Sequence, residues 1–446
     1  MRLLFLTPGT GSYHCGVCMR DNALAKHLIA QGHDAILLPM YLPLTLDESA
    51  ANPSAPVFFG GLNVYLQQRF AWFRNAPRWL DDTLNHPSIL KLLGQFSSMT
   101  RSATTGELTH SMLLGENGNQ RREIDKLLEW IRSLPTPPDA IFLSTGLLAG
   151  LAAPLRRATG APVITSLQGE DSFLDGLPGQ WKDRCWNAFR NALDHCDRLL
   201  APSTFFARLM ETRMSLPSGT IHGILNGMDF KDFPTTPPRS SPPDPHNIRV
   251  GFFARLSHGK GLGHLVDAFI TMQPAIRQNI RLLCGGSMTA DDRSYVDHLK
   301  QRLAAADLLD QVEFHPNLDR EQKIQFLSKL DALCVPAHYG EAFGLYLIEA
   351  MACGVPVIQP QTAAFPEVLE AMDDAPYHAT HSHGFLYPDP NPENPAALAS
   401  ALESVVNDLP LLHKKGLRSQ TRVRERFSLE RMAKEFVAAI PPPRPA

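Results

Sequence analysis

Residues 338–358 read HYGEAFGLYLIEAMACGVPVI, and the run before them, DALCVPA (331–337), is a short apolar segment bounded by turn residues. DALCVPA predicts a β-strand ending near Ala337. Gly344 then opens a helix reaching roughly Ala352, which Gly354 and Pro356 stop. Two carboxylates stand in residues 338–358. Glu341 falls on the loop at the carboxyl end of the strand, where open α/β sheets bind their ligands. The amides around Phe343, Gly344 and Leu345 form a helix N-terminus, a natural anion site. Glu349 lies inside the helix among Leu345, Leu347, Ile348 and Met351, where a charge without a partner is costly. A ligand with paired hydroxyls, such as a ribose, would satisfy it, and so would a Lys or Arg from elsewhere. The plainer alternative makes Glu341 a solvated loop charge and Glu349 half of a buried salt bridge.

The same rhythm runs through the chain. Strands are expected at Arg2–Thr7, Ala35–Pro39, Ala140–Ser144, Val163–Ser166 and Arg198–Ala201, with helical stretches such as 20–31 and 146–160 between them. In the second half IRVGFFA, IRLLCGG, QVEFHP and DALCVPA are each followed by a helical pattern. Such alternation builds parallel sheets covered on both faces. With 446 residues, two domains are the default. FPTTPPRSSPPDPHN (233–247) holds six prolines in fifteen residues and reads as the linker. The expected division is 1–236, a linker at 237–247, a second domain at 248–427, and a capped helix and tail at 428–446 that packs back on the first domain. The fold class is α/β, two doubly wound domains with a cleft between them. Residues 41–119 break the alternation and read as an inserted, mainly helical excursion.

Composition narrows the function. A hydrophobic share of 44%, a charged share of 20% and a net charge of −3 give no electrostatic footprint for nucleic acid. MRLLFLTPGT reads as a first strand rather than a signal peptide, and no apolar run is long enough to span a membrane. Seven scattered cysteines read as reduced thiols of a cytoplasmic protein. Cys15 and Cys18 form C-x-x-C, which ordinary thiols explain better than a redox pair or half a metal site. Phe70, Trp72, Phe73 and Trp79, interleaved with Arg69, Arg74 and Arg78, suit either packing of the excursion or a peripheral membrane contact through 58–80; packing is the favoured reading.

VGFFARLSHGKGLGHL (250–265) supplies a second constellation. Arg255 and Lys260 sit on the loop after another strand of the same domain, beside Gly261 and a helix start, a setting that suits a diphosphate held without metal. His258, between them, reads as a surface histidine. Taken with 340–358, NGMDFKDF (226–233) and HGFLYPDPNPENPAALASAL (383–402), this segment resembles the family-4 retaining glycosyltransferases of two-domain GT-B fold.

The resemblance implies that Arg255 and Lys260 hold the diphosphate of a nucleotide-sugar and that Glu341 bonds hydroxyls of the transferred sugar. It gives the amides of Phe343, Gly344 and Leu345 the sugar–phosphate pocket and gives Glu349 the ribose hydroxyls. In the first domain, Gly16 is the best match for the glycine that lets backbone approach the β-phosphate. Glycines 9, 11 and 16 do not make G-x-G-x-x-G, so no dinucleotide is indicated. In ITSLQGEDSFL (164–174) the family commonly carries a histidine where this chain has Gln168, which exchanges no proton near neutral pH. Gln168 and Glu170 remain candidate sugar or acceptor contacts. The implied activity is sugar transfer with retention and without metal or other cofactor, to a carbohydrate, lipid-linked or small-molecule acceptor. The alternatives are a nucleotide-sugar epimerase on the same fold and a non-catalytic nucleotide-sugar-binding module.

Overall fold

The computed structural model describes residues 1–9, 16–53, 56–59, 64, 67–68, 102–236, 242–337, 339–372, 383–388 and 394–442. Two compact units emerge. The first is Met1–Leu225 with Met432–Ala446, and the second is Asn226–Arg431.

The first unit is built on β1 (Arg2–Thr7), β2 (Asp34–Pro39), β3 (Ala140–Leu143), β4 (Val163–Ser166), β5 (Arg198–Ala201) and β6 (Ile221–Gly223). They form one sheet in the order β2-β1-β3-β4-β5-β6, and every neighbouring pair runs parallel. Strands such as RLLFLT and AIFL are apolar along nearly their whole length because both faces of a parallel sheet are covered. Parallel neighbours need crossovers, and helix α1 (Gly16–Ala30) is the first. β6 is only three residues long and carries no apolar run, so no strand was expected there.

The second unit carries β7 (Ile248–Phe253), β8 (Ile280–Gly286), β9 (Val312–Pro316), β10 (Ala332–Cys334), β11 (Val357–Pro360) and β12 (Gly384–Tyr387). Their order is β12-β11-β10-β7-β8-β9, again all parallel. β7 comes first in this unit yet lies in the middle of its sheet. Succeeding strands run outward to β8 and β9 on one side, and β10 to β12 fill the other. The loops that leave the carboxyl ends of β7 and β10 therefore diverge at a topological switch point, the standard crevice of an open sheet. Its helices used below are α2 (Leu262–Thr271), after β7, α3 (Arg320–Ser328), α4 (Leu345–Ala352), after β10, and α5 (Leu409–Arg426).

The division falls earlier than the proline-rich stretch suggested, and hydrogen bonds explain why. Arg424 on α5 donates to the carbonyls of Phe230, Phe233 and Pro234, Met228 N–H donates to Phe427 O, and Arg431 donates to Asn226 O. These contacts tie 226–234 to the second unit although no composition change marks the boundary. Linker residues 237–241 lie outside the described residues. Helix α6 (Leu429–Ala439) ends the described chain. Its Phe436 belongs to the first unit, with ring centroids 5.7 Å from Phe5 and 5.1 Å from Phe142. Most of the 41–119 excursion, with Arg69, Phe70, Trp72, Phe73, Arg74, Arg78 and Trp79, also lies outside the described residues. Its described entry is packed into the core: Phe58, Phe59 and Val64 join Leu4, Leu38 and Ile124, and Phe58 meets Trp130 edge-on at 5.5 Å. Among the described residues no helix is long and apolar enough to cross a membrane.

Phe436→Ala removes an aromatic plug from between two others. It is expected to cost about 3–4 kcal/mol, read as a lowered denaturant midpoint. A loss under about 1 kcal/mol would show that the C-terminal helix is not part of that core.

Candidate functional site

Lys260 reaches the switch point on the turn after β7, and Glu341 does so on the loop after β10. The Lys260 ammonium lies 2.5 Å from Glu341 Oε1. The hydroxyls of Tyr339 and Tyr346 donate to the same oxygen at 3.2 and 3.3 Å. The ammonium also stands 4.9 Å from the centroid of the Tyr339 ring. Glu341 is only 8% exposed. Burial works to lower the Lys260 pKa, but the neighbouring Glu341 carboxylate outweighs it and the pKa is raised, so the ammonium stays charged at any physiological pH.

One glycine makes this meeting possible. Gly261 sits at φ +79°, and a Cβ there would collide with the carbonyl oxygen of Pro336 at the end of the β10 segment. Only glycine lets the β7 turn approach that closely. Gly344, at φ +86°, caps α4 and turns the chain from the Glu341 loop into the helix. The N-terminus of α4, with Phe343, Gly344 and Leu345, thus opens a few residues from Glu341. Phe343 is buried edge-on against Phe427 at 5.8 Å.

Arg255 leaves β7 toward the neighbouring β8 loop. Its Nε lies 3.2 and 3.1 Å from the two oxygens of Asp292, and Nη2 is 3.4 Å from Thr289 Oγ1. Thr289 and Asp292 form a capping box, so Asp292 stands at the start of a helix. Its pairing with Arg255 spans 37 residues and was not foreseen. The Arg255 side chain is 39% exposed, so it also faces solvent while it holds the buried Asp292.

Glu349 is deeper. Its Oε1 accepts a hydrogen bond from Lys323 Nζ at 2.8 Å, and the two side chains are 10% and 7% exposed. The Lys or Arg that the helix interior called for is therefore Lys323, on the first turn of α3. Nothing in the sequence singled it out, because α3 and α4 meet only in the folded unit.

The first unit holds the remaining candidates. Gly16 opens α1, while 10–15, including Cys15, lie outside the described residues. Cys18 is buried and accepts a hydrogen bond from Thr7 Oγ1 at 3.7 Å. Gln168 donates its amide to Ser166 Oγ at 2.5 Å. Glu170 corrects the expectation of a sugar contact. It is 3% exposed, and both its oxygens are occupied by its own loops. Oε1 accepts from Thr145 Oγ1 and Gly146 N at 2.6 and 2.7 Å, and Oε2 from Gln168 N and Gly169 N at 2.6 and 3.1 Å. Burial pushes its pKa up, and those four donors hold it back. The carboxylate pins two strand-end loops together and so fixes Gln168.

Two family models match this chain. Residues 236–421 match "Glycosyl transferases group 1" and residues 110–232 match "Glycosyltransferase Family 4". The chain belongs to the group 1, family 4 glycosyltransferases. The lipopolysaccharide core biosynthesis mannosyltransferase LpsB of Rhizobium meliloti is 28% identical over 223 residues, covering 48% of this chain and 59% of that relative. The fold of this family member matches sucrose-phosphate synthase from Thermosynechococcus elongatus, at 18% identity, TM-score 0.68 and 98% coverage of both chains. It also matches Anabaena HepE in complex with UDP and glucose, at 18% identity, TM-score 0.64 and 98% coverage of both chains. Both matches place the two units in the GT-B fold.

Gly261→Ala forces a left-handed residue and a backbone collision. It is expected to lower stability by about 1–3 kcal/mol, measured as a fall in melting temperature. An unchanged melting temperature would show that the β7 turn does not need this close approach.

Proposed function

We propose that this protein transfers a sugar from a nucleotide-diphosphate sugar to an acceptor hydroxyl, with retention of configuration and without a metal ion. The observation that carries the reading is the meeting of Lys260 with Glu341 at the switch point of the second sheet, a few residues before the N-terminus of α4 and on the same loop after β7 that carries Arg255. A diphosphate needs fixed positive charge, and two cations and a helix terminus provide it. The transferred sugar needs a hydroxyl-reading acceptor next to that charge, and Glu341 is one. The ribose needs a fixed carboxylate one to two helical turns away, and Glu349 on α4 is one.

The chemistry follows from charge. When the bond between sugar and diphosphate breaks, negative charge grows on the leaving phosphate. Lys260, Arg255 and the amides of Phe343–Leu345 face that charge in a partly buried site, where each well-placed donor is worth about 3 kcal/mol of barrier. The diphosphate takes over part of the pairing that Glu341 gives Lys260 and Asp292 gives Arg255. Glu341 is then released toward the sugar hydroxyls. A phosphate oxygen on the same face accepts the proton of the attacking hydroxyl, so the new bond forms on the face the leaving group vacates. Gln168 takes part only as a hydrogen-bonding group, since it carries no exchangeable proton near neutral pH. The Anabaena neighbour of the same fold was solved with UDP and glucose, which makes UDP-glucose the first donor to try.

Lys260→Ala and Arg255→Ala are each expected to lower the turnover of a nucleotide-sugar by about a hundredfold or more while the circular dichroism spectrum stays native. A folded variant that turns over at the wild-type rate would remove the diphosphate assignment. Transfer is also expected to persist in excess EDTA, because the fixed cations neutralise the leaving group. Loss in EDTA with rescue by magnesium or manganese would contradict the metal-free reading.

A further inference from the structure

The buried pair of Lys323 and Glu349 needs a reason. A salt bridge this deep returns little net stability, since apolar residues of the same volume often serve as well. Breaking it is another matter. A lone carboxylate among Leu347, Ile348 and Met351, all buried, would be driven to protonate. We propose that Lys323 is the positioning residue of the ribose subsite: its ammonium anchors Oε1, so that the carboxylate is held in one orientation as an acceptor for a vicinal diol. This deepens the donor reading given above and rests on it.

The geometry supports a fixed clamp rather than a chance contact. Asp319 accepts from Gln322 N–H at 2.8 Å, and Gln322 Oε1 accepts from Asp319 N–H at 3.1 Å. This capping box fixes the first turn of α3, from which Lys323 projects. Its backbone N–H is bonded to Asp319 O at 2.8 Å and its ammonium to Glu349 at 2.8 Å. Among the described residues, Cys353, at the end of α4, feels the charges of Glu349, Lys323 and Arg424, the last on α5, which packs against α4. Burial pushes the Cys353 thiol up to about 12, so it is neutral in any ordinary assay. Arg424 is committed to the carbonyls of Phe230, Phe233 and Pro234. Lys323 is thus the cation that Glu349 meets directly.

The test uses the full chain and calorimetric binding of UDP, GDP and ADP, together with the 2′,3′-dideoxy form of whichever binds and inorganic pyrophosphate. Lys323→Met leaves Glu349 buried without its partner, where burial favours the neutral acid. Relative to wild type, the variant is expected to bind the ribonucleotide about tenfold more weakly at pH 7 and to recover as the pH is raised. Binding of the dideoxy nucleotide and of pyrophosphate should not change. The double variant K323M/E349Q, which carries no buried charge at the pair, should match E349Q within twofold at every pH, because Lys323 acts only through Glu349. It tests the proposal even where Lys323→Met alone does not fold. Wild-type affinity and pH profile in Lys323→Met, an equal loss of dideoxy nucleotide binding, or a further loss in K323M/E349Q beyond E349Q would each overturn the clamp. If no nucleoside diphosphate binds the wild type, the donor reading falls and the clamp falls with it. Wild-type binding with an indifferent Lys323→Met sinks the clamp alone.

Discussion

The site depends on one contact, the Lys260 ammonium against Glu341 Oε1 at 2.5 Å. It joins two loops that sheet topology alone brings side by side, because β7 lies next to β10 although β8 and β9 intervene in the chain. Gly261 permits the approach, and Tyr339 and Tyr346 complete the shell of the carboxylate. The Glu341 carboxylate keeps the Lys260 ammonium charged against the burial that opposes it. The result is a preformed site in which a cation for phosphate and an acceptor for hydroxyls are already adjacent. An incoming diphosphate shares the cation instead of creating a new charge in the protein, so little reorganisation is needed when the leaving group develops its charge.

Both carboxylates of 340–358 are paired with lysines, but to different ends. Glu341 is paired at the rim, with a lysine whose side chain is 26% exposed. Glu349 is paired in the interior, with one that is 7% exposed. An exchangeable partner suits a group that must respond to the reacting sugar. A permanent partner suits one that reads the unreactive ribose. The distinction comes from position on a single helix: Glu341 precedes its N-terminus, and Glu349 lies more than a turn inside.

Much of this was legible in the sequence because parallel sheets write themselves as apolar runs separated by helical patterns. Most of the strands from Arg2–Thr7 to Val312–Pro316 were read with boundaries within a residue, β6 was missed, and the strand expected to end near Ala337 stops at Cys334. That Lys260 and Glu341 share one edge was legible because loops after strands of one sheet leave at the same side. What escaped was set by contacts between distant segments. Lys323 meets Glu349 across 26 residues and Asp292 meets Arg255 across 37, with no local pattern to mark either. Glu170 looked like a sugar contact because its loop is in the right place. Its donors Thr145 and Gly146, 25 and 24 residues upstream, turn it into a loop pin. The unit boundary escaped for the same reason, since prolines mark where the chain cannot be regular but Arg424 decides which unit holds 226–234.

The most direct test of the account is a crystal structure of the protein with an intact nucleotide-sugar or its nucleoside diphosphate. The account predicts the diphosphate against Lys260, Arg255 and the amides at Gly344, the ribose hydroxyls on Glu349, and the sugar end beside Glu341. A nucleotide bound with its ribose away from Glu349, or with its phosphates clear of both Lys260 and Arg255, would contradict it.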